Sequence, residues 1–266
     1  MPRPPVSSGA DWDAARYHQV ARPHAAWGAS VLDRLELDGD ELVLDAGCGS
    51  GRVTAQLLER LPRGRVVAAD HSPAMLTEAR NSLAAYRNRV SFLHADLQEI
   101  DQVLREPVDL IFSTAVFHWI ADHRRLFRTL RAVLKPGGRL VAQFGGGSNL
   151  ARFMRAADAV AARPAFAACL GDRSFWRFYY APEETRARLL EAGFTTATAW
   201  LEPSPQTFAD RAALADFCRG VVLSQHLAAL PEALRQDFLH QVIDEVVRRE
   251  GSPTLDYVRL NLDATA

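Results

Sequence analysis

Three glycines stand at alternate positions, Gly47, Gly49 and Gly51, just after the apolar run Val43-Leu44, and Asp45 sits two residues ahead of the first. Glycines at the turn out of a strand let the main chain come close to a ligand, because no Cβ intervenes. A dinucleotide-binding fingerprint, Gly-x-Gly-x-x-Gly, has a similar look. Here the third glycine comes one place early, and Arg52 stands where that pattern wants glycine. A fixed Asp45 carboxylate would repel a pyrophosphate and favour a cation or an amine. The chemistry that fits is a nucleoside-like ligand with a positively charged tail. Cys48 lies inside the loop with no evident base beside it, and reads as a small buried residue rather than a nucleophile.

Two more carboxylates follow apolar segments, Asp70 and Asp96. A carboxylate has two oxygens and can accept from two vicinal hydroxyls. His118, beside Trp119, is the best candidate for a general base, which a hydroxyl, amine or carbon nucleophile would need. It could equally cap a helix or line a pocket. A carboxylate nucleophile needs no base, being ionised at neutral pH, but it does need a cation to hold it, best a bidentate arginine. Residues 163–180 offer Arg163, Arg173 and Arg177 among Phe175, Trp176, Phe178, Tyr179 and Tyr180. These aromatics serve equally well as glue between a cap and the body of the protein.

The elements that must position these groups alternate between strand-like and helix-like patterns over residues 40–145. ELVLDAG, RVVAAD (65–70), VSFLHAD (90–96), VDLIFS (108–113) and GRLVAQF (138–144) read as buried strands. Between them, Val53, Leu57, Leu58 and Leu61 share a helical face. Ser72 and Pro73 open a second helix, and Asp122 opens one that runs to Val133 and stops at the LKPGG turn. This alternation predicts an α/β fold: a Rossmann-like, doubly wound, seven-stranded, mostly parallel sheet with helices on both faces and a helical cap. Such sheets bind ligands beyond the carboxyl ends of their strands, where Asp45, Asp70, Asp96 and the stretch after Ser113 fall. Later segments read as a helix over 183–194, a strand TTATAWLEP, helices near 209–228 and 231–249, and a final strand over 254–264. The chain is read as a single domain over 1–266. Its cofactor-binding core covers about 35–145, a lid helix about 11–34, and cap elements about 149–180 and 203–250.

Composition excludes several classes. The 266 residues carry a formal net charge of -1 and are 48% hydrophobic, so no basic excess calls for nucleic acid. No apolar run is long enough for a membrane span. Three scattered cysteines give neither a disulfide framework nor a metal spacing, and the N-terminus has no secretory apolar core. The expectation is a cytoplasmic protein acting on a small molecule, with no metal, nucleic-acid or membrane partner, and with its oligomeric state left open.

Taken together, Asp45 with Gly47-x-Gly49-x-Gly51, Asp70 nineteen residues further on, the HADL segment at 94–97 and LKPGGRLV resemble the class I S-adenosylmethionine-dependent methyltransferases over roughly residues 13–145. DWDAARYHQVARPHAAW, DHSPAMLTEAR and AVFHWIADHRRLF resemble the trans-aconitate methyltransferase group in particular, although Thr114 stands where that group often has asparagine. The resemblance implies S-adenosyl-L-methionine as cofactor. Asp70 would grip the ribose, Asp96 and Leu97 would face the adenine on one side, and Met75 would pack on its other face. Tyr17 would meet the methionine carboxylate from a lid helix that also carries His18. The same likeness draws in the loop residues Asp45, Gly47, Cys48, Gly49 and Gly51, together with His71 and Thr114. It implies methylation of a small molecule: a carboxylic acid first, a hydroxyl, nitrogen or carbon second. A nicotinamide-dependent oxidoreductase is the competing class, opposed by Asp45 and the early third glycine. A non-catalytic cofactor-binding protein is the other.

Overall fold

The structure is a computed structural model and describes residues 22–171 and 177–266. Nine strands are present among them: β1 (Leu42–Ala46), β2 (Arg65–Asp70), β3 (Val90–His94), β4 (Val108–Thr114), β5 (Leu134–Gly145), β6 (Thr196–Pro203), β7 (Gln206–Thr207), β8 (Thr254–Leu255) and β9 (Val258–Thr265). Seven form one sheet in the order β3-β2-β1-β4-β5-β9-β6, and β7 pairs with β8 alone. Strands β1 to β5 run parallel; β9 lies antiparallel between β5 and β6. The expected seven-stranded, mostly parallel sheet is therefore what forms. Its order reverses at β1, which has β2 on one side and β4 on the other, and a crevice opens at the carboxyl end of such a switch.

Helices cover both faces, so β1 is buried throughout, and its residues divide between two cores. Val43 joins Leu57, Leu58, Leu76 and Phe112 on one side. Leu42 and Leu44 join Phe117, Phe127, Leu130 and Leu189 on the other. Helix starts follow local chemistry: the Ser72 hydroxyl accepts from the Met75 N–H with Pro73 in the first turn, and the Asp122 carboxylate accepts from the Arg125 N–H at 2.9 Å.

Three elements differ from the sequence expectation. LKPGG is not a turn ahead of a strand but a bulge inside β5. Val108 pairs with Leu134 and Leu110 with Arg139, so the residues between are looped out, with Gly137 at φ +77. The final strand breaks into β8 and β9 because Asp256 turns aside. Its carboxylate accepts from the N–H groups of Arg152 (2.7 Å) and Phe153 (3.0 Å), capping the helix Ala151–Ala161 from a distance. The helix expected at 209–228 is split into Arg211–Phe217, a π-turn Cys218–Val222 and Ser224–Ala229. The cap has a core of its own, in which Phe153, Val160, Phe166, Phe217, Leu239 and Val242 pack together, and Trp27 of the N-terminal helix Arg22–Leu32 joins it.

Candidate active site

The glycine turn leaves β1 in left-handed backbone at all three glycines, with φ +87 at Gly47, +54 at Gly49 and +82 at Gly51. The N–H groups of Gly47 and Cys48 both donate to the Ala69 carbonyl, which ties the turn to β2. The three positions are glycine for different reasons. A Cβ at Gly47 would stand 2.2 Å from Val116 Cγ2, and one at Gly51 2.9 Å from Leu83 Cδ1; at Gly49 it would meet nothing within 4 Å. Two glycines thus admit neighbouring side chains of the protein. Gly49 borders open space, as the cradle of a bound molecule must.

The Asp70 carboxylate closes this turn from β2. One oxygen accepts from the Gly49 N–H at 2.8 Å and the other from the Ser72 N–H at 2.9 Å. Each oxygen keeps a second lone pair for an incoming hydroxyl. Burial raises its pKa, and those two N–H groups hold the rise in check. Asp45 is buried at the end of β1 and accepts from the Thr54 hydroxyl at 2.6 Å. Burial pushes its pKa up to about 7; the Thr54 hydrogen bond opposes this and the nearby Asp70 charge adds to it. A desolvated carboxyl poised at neutrality fits an ammonium group, which would draw it back to the ionised form. Thr54→Val is expected to lower the unfolding free energy by about 1–3 kcal/mol through loss of that buried donor. Urea denaturation reads it, and an unchanged midpoint would mean that Asp45 does not depend on the hydroxyl.

Cys48 is buried, its thiol donates to the Gly49 carbonyl, and burial drives its pKa far up. It stays a thiol. Met75 and Leu97 are both buried near the strand ends. Asp96 faces the start of the short turn that follows it and accepts from the Gln98 N–H at 2.9 Å. His71 is exposed, and its carbonyl meets the His94 ring at 3.0 Å. Thr114 ends β4, half-buried, paired with Gln143. Tyr17, His18, Arg173, Phe175 and Trp176 lie outside the described residues.

A second cleft opens beyond β4 and β5 and is lined by Ala115, His118, Trp119, Asn149, Leu150, Arg177, Tyr179, Val221, Tyr257 and Arg259. Val116, which packs against Gly47, follows Ala115 of this lining in sequence. Ala115 (φ +60) and Leu150 (φ +57) are the non-glycine residues in left-handed backbone among the described residues. Both line this cleft. Each costs about 1–2 kcal/mol, and such outliers gather where function demands them.

His118 is buried there, and its Nδ1 accepts from the Gly145 N–H at 3.4 Å. A neutral ring accepting there would carry its proton on Nε2. Arg177 lies 4.8 Å from the centre of the Trp119 ring. Its Nη2 donates to the carbonyls of Val221 (2.8 Å) and Val222 (3.2 Å), groups that the π-turn exposes. Arg163 is elsewhere, bonded to Gln241 and paired with Glu245. Tyr180 is likewise spent: its hydroxyl donates to the Ala121 carbonyl and Arg188 covers its ring. Sequence reasoning missed Asn149, Tyr257 and Arg259. The one available signal was that Tyr257 and Arg259 fall two apart in an extended run, and so on one face.

A switch-point crevice with a glycine turn after β1 and carboxylates at the ends of β1 and β2 defines a nucleoside-binding, Rossmann-like protein. Comparison with known proteins specifies it further. A family model described as a methyltransferase domain matches residues 43–138. A trans-aconitate 2-methyltransferase of Azoarcus sp. (strain BH72) is 35% identical over 224 residues, covering 83% of each chain. One from Delftia acidovorans is 31% identical, covering 94% of this chain and 96% of the relative. The same fold recurs in Haemonchus contortus phosphoethanolamine N-methyltransferase 2 in complex with phosphomonomethylethanolamine and S-adenosylhomocysteine, with a TM-score of 0.60 and 18% identity over 98% of this chain and 59% of that one. The chain belongs to the class I S-adenosylmethionine-dependent methyltransferases, in the family whose curated members are called trans-aconitate 2-methyltransferase. It is an enzyme, and S-adenosylmethionine is its methyl donor.

Proposed function

We propose that this enzyme esterifies a small organic acid, methylating a carboxylate oxygen. The observation that carries this reading is the cleft beyond β4 and β5, whose lining holds two arginines, Arg177 and Arg259, and no carboxylate among the described residues. The relatives' name, which refers to an acid, agrees with it. When bound, the cofactor supplies an electrophilic methyl carbon on a sulfonium. Asp45 would hold its amine, Asp70 its ribose hydroxyls, Met75 and Leu97 its ring, and the bare Gly49 main chain would give it room. The acceptor arrives ionised, so no proton need be removed. Arg177 orients the carboxylate and His118 donates from Nε2 to the oxygen that does not react. Trp119 and Tyr179 exclude water, which leaves the nucleophile poorly solvated and aligned. We place the enzyme in the cytoplasm as a single domain, with the core, lid and cap boundaries given above, acting without nucleic acid. Among the described residues no helix is long and apolar enough to cross a membrane.

Arg177→Gln tests the reading. It removes a charged hydrogen bond worth about 1.5–3 kcal/mol, so the KM for the acid should rise about 10- to 100-fold while cofactor affinity holds. A KM left in place would remove Arg177 from the acceptor site.

The raised Asp45 pKa gives a pH signature. Below about 7 the folded protein carries this proton, and an ammonium beside it favours the ionised form, so binding expels the proton. Cofactor affinity therefore climbs as pH rises towards 7, by up to about tenfold per unit, and levels off above it. Calorimetry in buffers of unequal ionisation enthalpy reads the released proton. Asp45→Asn should flatten the slope; a slope that persists would assign it to another group. In the unliganded protein the same shift stabilises the fold below about pH 4, and that contribution fades as pH rises through 7.

A further inference from the structure

We propose that His123 is a positioning residue for methyl transfer: from behind the cleft it holds the turn Phe117–Trp119 in place, and with it His118 and Trp119; this rests on the roles proposed for those two residues above. His123 opens the helix His123–Ala132 and is 1% exposed. Its Nε2 lies 2.9 Å from the Phe117 carbonyl oxygen. A carbonyl can only accept, so Nε2 carries a proton and donates. Burial pushes the pKa of the ring down to about 4, against the pull of that same carbonyl. The ring is therefore neutral at pH 7, and Nδ1 is an acceptor with no hydrogen-bond partner among the described residues.

Packing alone does not call for an imidazole here. The rings of Phe127, Phe144 and Tyr180 surround it edge-on, with centres 5.2, 5.7 and 4.5 Å away. A phenylalanine would fill this apolar space without burying an unpaired nitrogen. The helix start does not need the imidazole, because the Asp122 carboxylate caps it. The Phe117 carbonyl would not be orphaned either, since the Ile120 N–H reaches it at 3.0 Å. What the histidine adds is a bond to the turn from an element outside it. Such a turn has poor hydrogen-bond geometry of its own, and it follows Ala115 in left-handed backbone. The turn also carries the facing wall of the cleft. Its His118 carbonyl accepts from the Phe178 N–H at 2.8 Å, between Arg177 and Tyr179, which both line the cleft. Tyr180, whose ring meets His123, ends that segment and is tied by its hydroxyl to the Ala121 carbonyl. One buried side chain thus stands behind His118, Trp119, Arg177 and Tyr179 together.

His123→Phe keeps the packing and removes the donor. It should melt at or above the native temperature, yet lower kcat for trans-aconitate by about 10- to 100-fold, the scale of a misplacement of about 1 Å. Cofactor affinity, read by calorimetry, should hold, because Gly49 and Asp70 are untouched. His123→Gln offers an amide N–H at similar reach but loses the ring. It should melt lower and recover most of the lost kcat. Turnover and stability then part in opposite directions, which a purely structural role does not produce. A second readout needs no acceptor: amide hydrogen exchange at Trp119 and Ile120, followed by NMR, should quicken about tenfold in His123→Phe through local opening and stay near native in His123→Gln. A phenylalanine variant with native kcat, or with native exchange in the turn, would overturn the assignment and leave esterification standing. So would two variants that melt lower and slow together, which would make His123 core packing. If the native enzyme methylates no acid, esterification falls, and the exchange measurement still decides whether His123 holds the turn.

Discussion

Gly49→Val is expected to weaken cofactor binding by on the order of 100-fold or more while leaving a folded protein. The valine side chain would enter the open space that borders Gly49, where no protein atom lies within 4 Å of a Cβ. The cost therefore falls on whatever fills that space, at the level of an overpacked contact. The backbone adds a smaller effect: φ is +54, a conformation that a β-branched residue rarely adopts. Calorimetry with S-adenosylmethionine, paired with a thermal melt, separates the two. Retained affinity would mean that the turn does not cradle the nucleoside.

Gly47→Ala should do the opposite, harming the fold before it harms binding. Its Cβ would sit 2.2 Å from Val116 Cγ2 and 2.8 Å from Val116 Cγ1. Real Cβ atoms do not approach so closely, so the segment after β4 must shift. The left-handed backbone costs about 1–2 kcal/mol and the overpacking about 1–3 kcal/mol more. Unfolding in urea should thus show a loss of about 2–5 kcal/mol, with activity lost as Ala115 and His118 move with Val116. A native midpoint for this variant would show that Val116 can swing aside, and the packing explanation of Gly47 would fail. Two glycines separated by one residue are thus predicted to fail in distinguishable ways, which a single motif label would not anticipate.

The contrast also marks how far the sequence could be read. Strand ends were legible because parallel strands covered on both faces become plain apolar runs, and the residue where the run stops lies at the ligand end of the sheet. Ser72 and Asp122 were legible because a cap acts within three residues. The sequence raised the right question about the three glycines and could answer it only in general. That Gly47 admits Val116 and Gly51 admits Leu83 depends on contacts 69 and 32 residues away. The bulge at LKPGG is set by how β5 registers on β4, and the break at Asp256 by a helix start more than a hundred residues earlier. The π-turn likewise meets Arg177, which reaches it from 44 residues upstream. Arg259 was hidden for the same reason: in an alternating strand its face is settled by the partner strand, and Gly145 was visible only as one glycine among three in a row. Long-range register, not local propensity, builds the cleft beyond β4 and β5.

The most direct test supplies S-adenosylmethionine carrying a carbon-13 methyl group, together with trans-aconitate, and follows the label by NMR. The label should move into an ester methyl group, one equivalent for each cofactor demethylated, and alkali should release it as labelled methanol. If the cofactor binds but its label reaches only hydroxyl, nitrogen or carbon acceptors, or none, then this cleft does not methylate carboxylates.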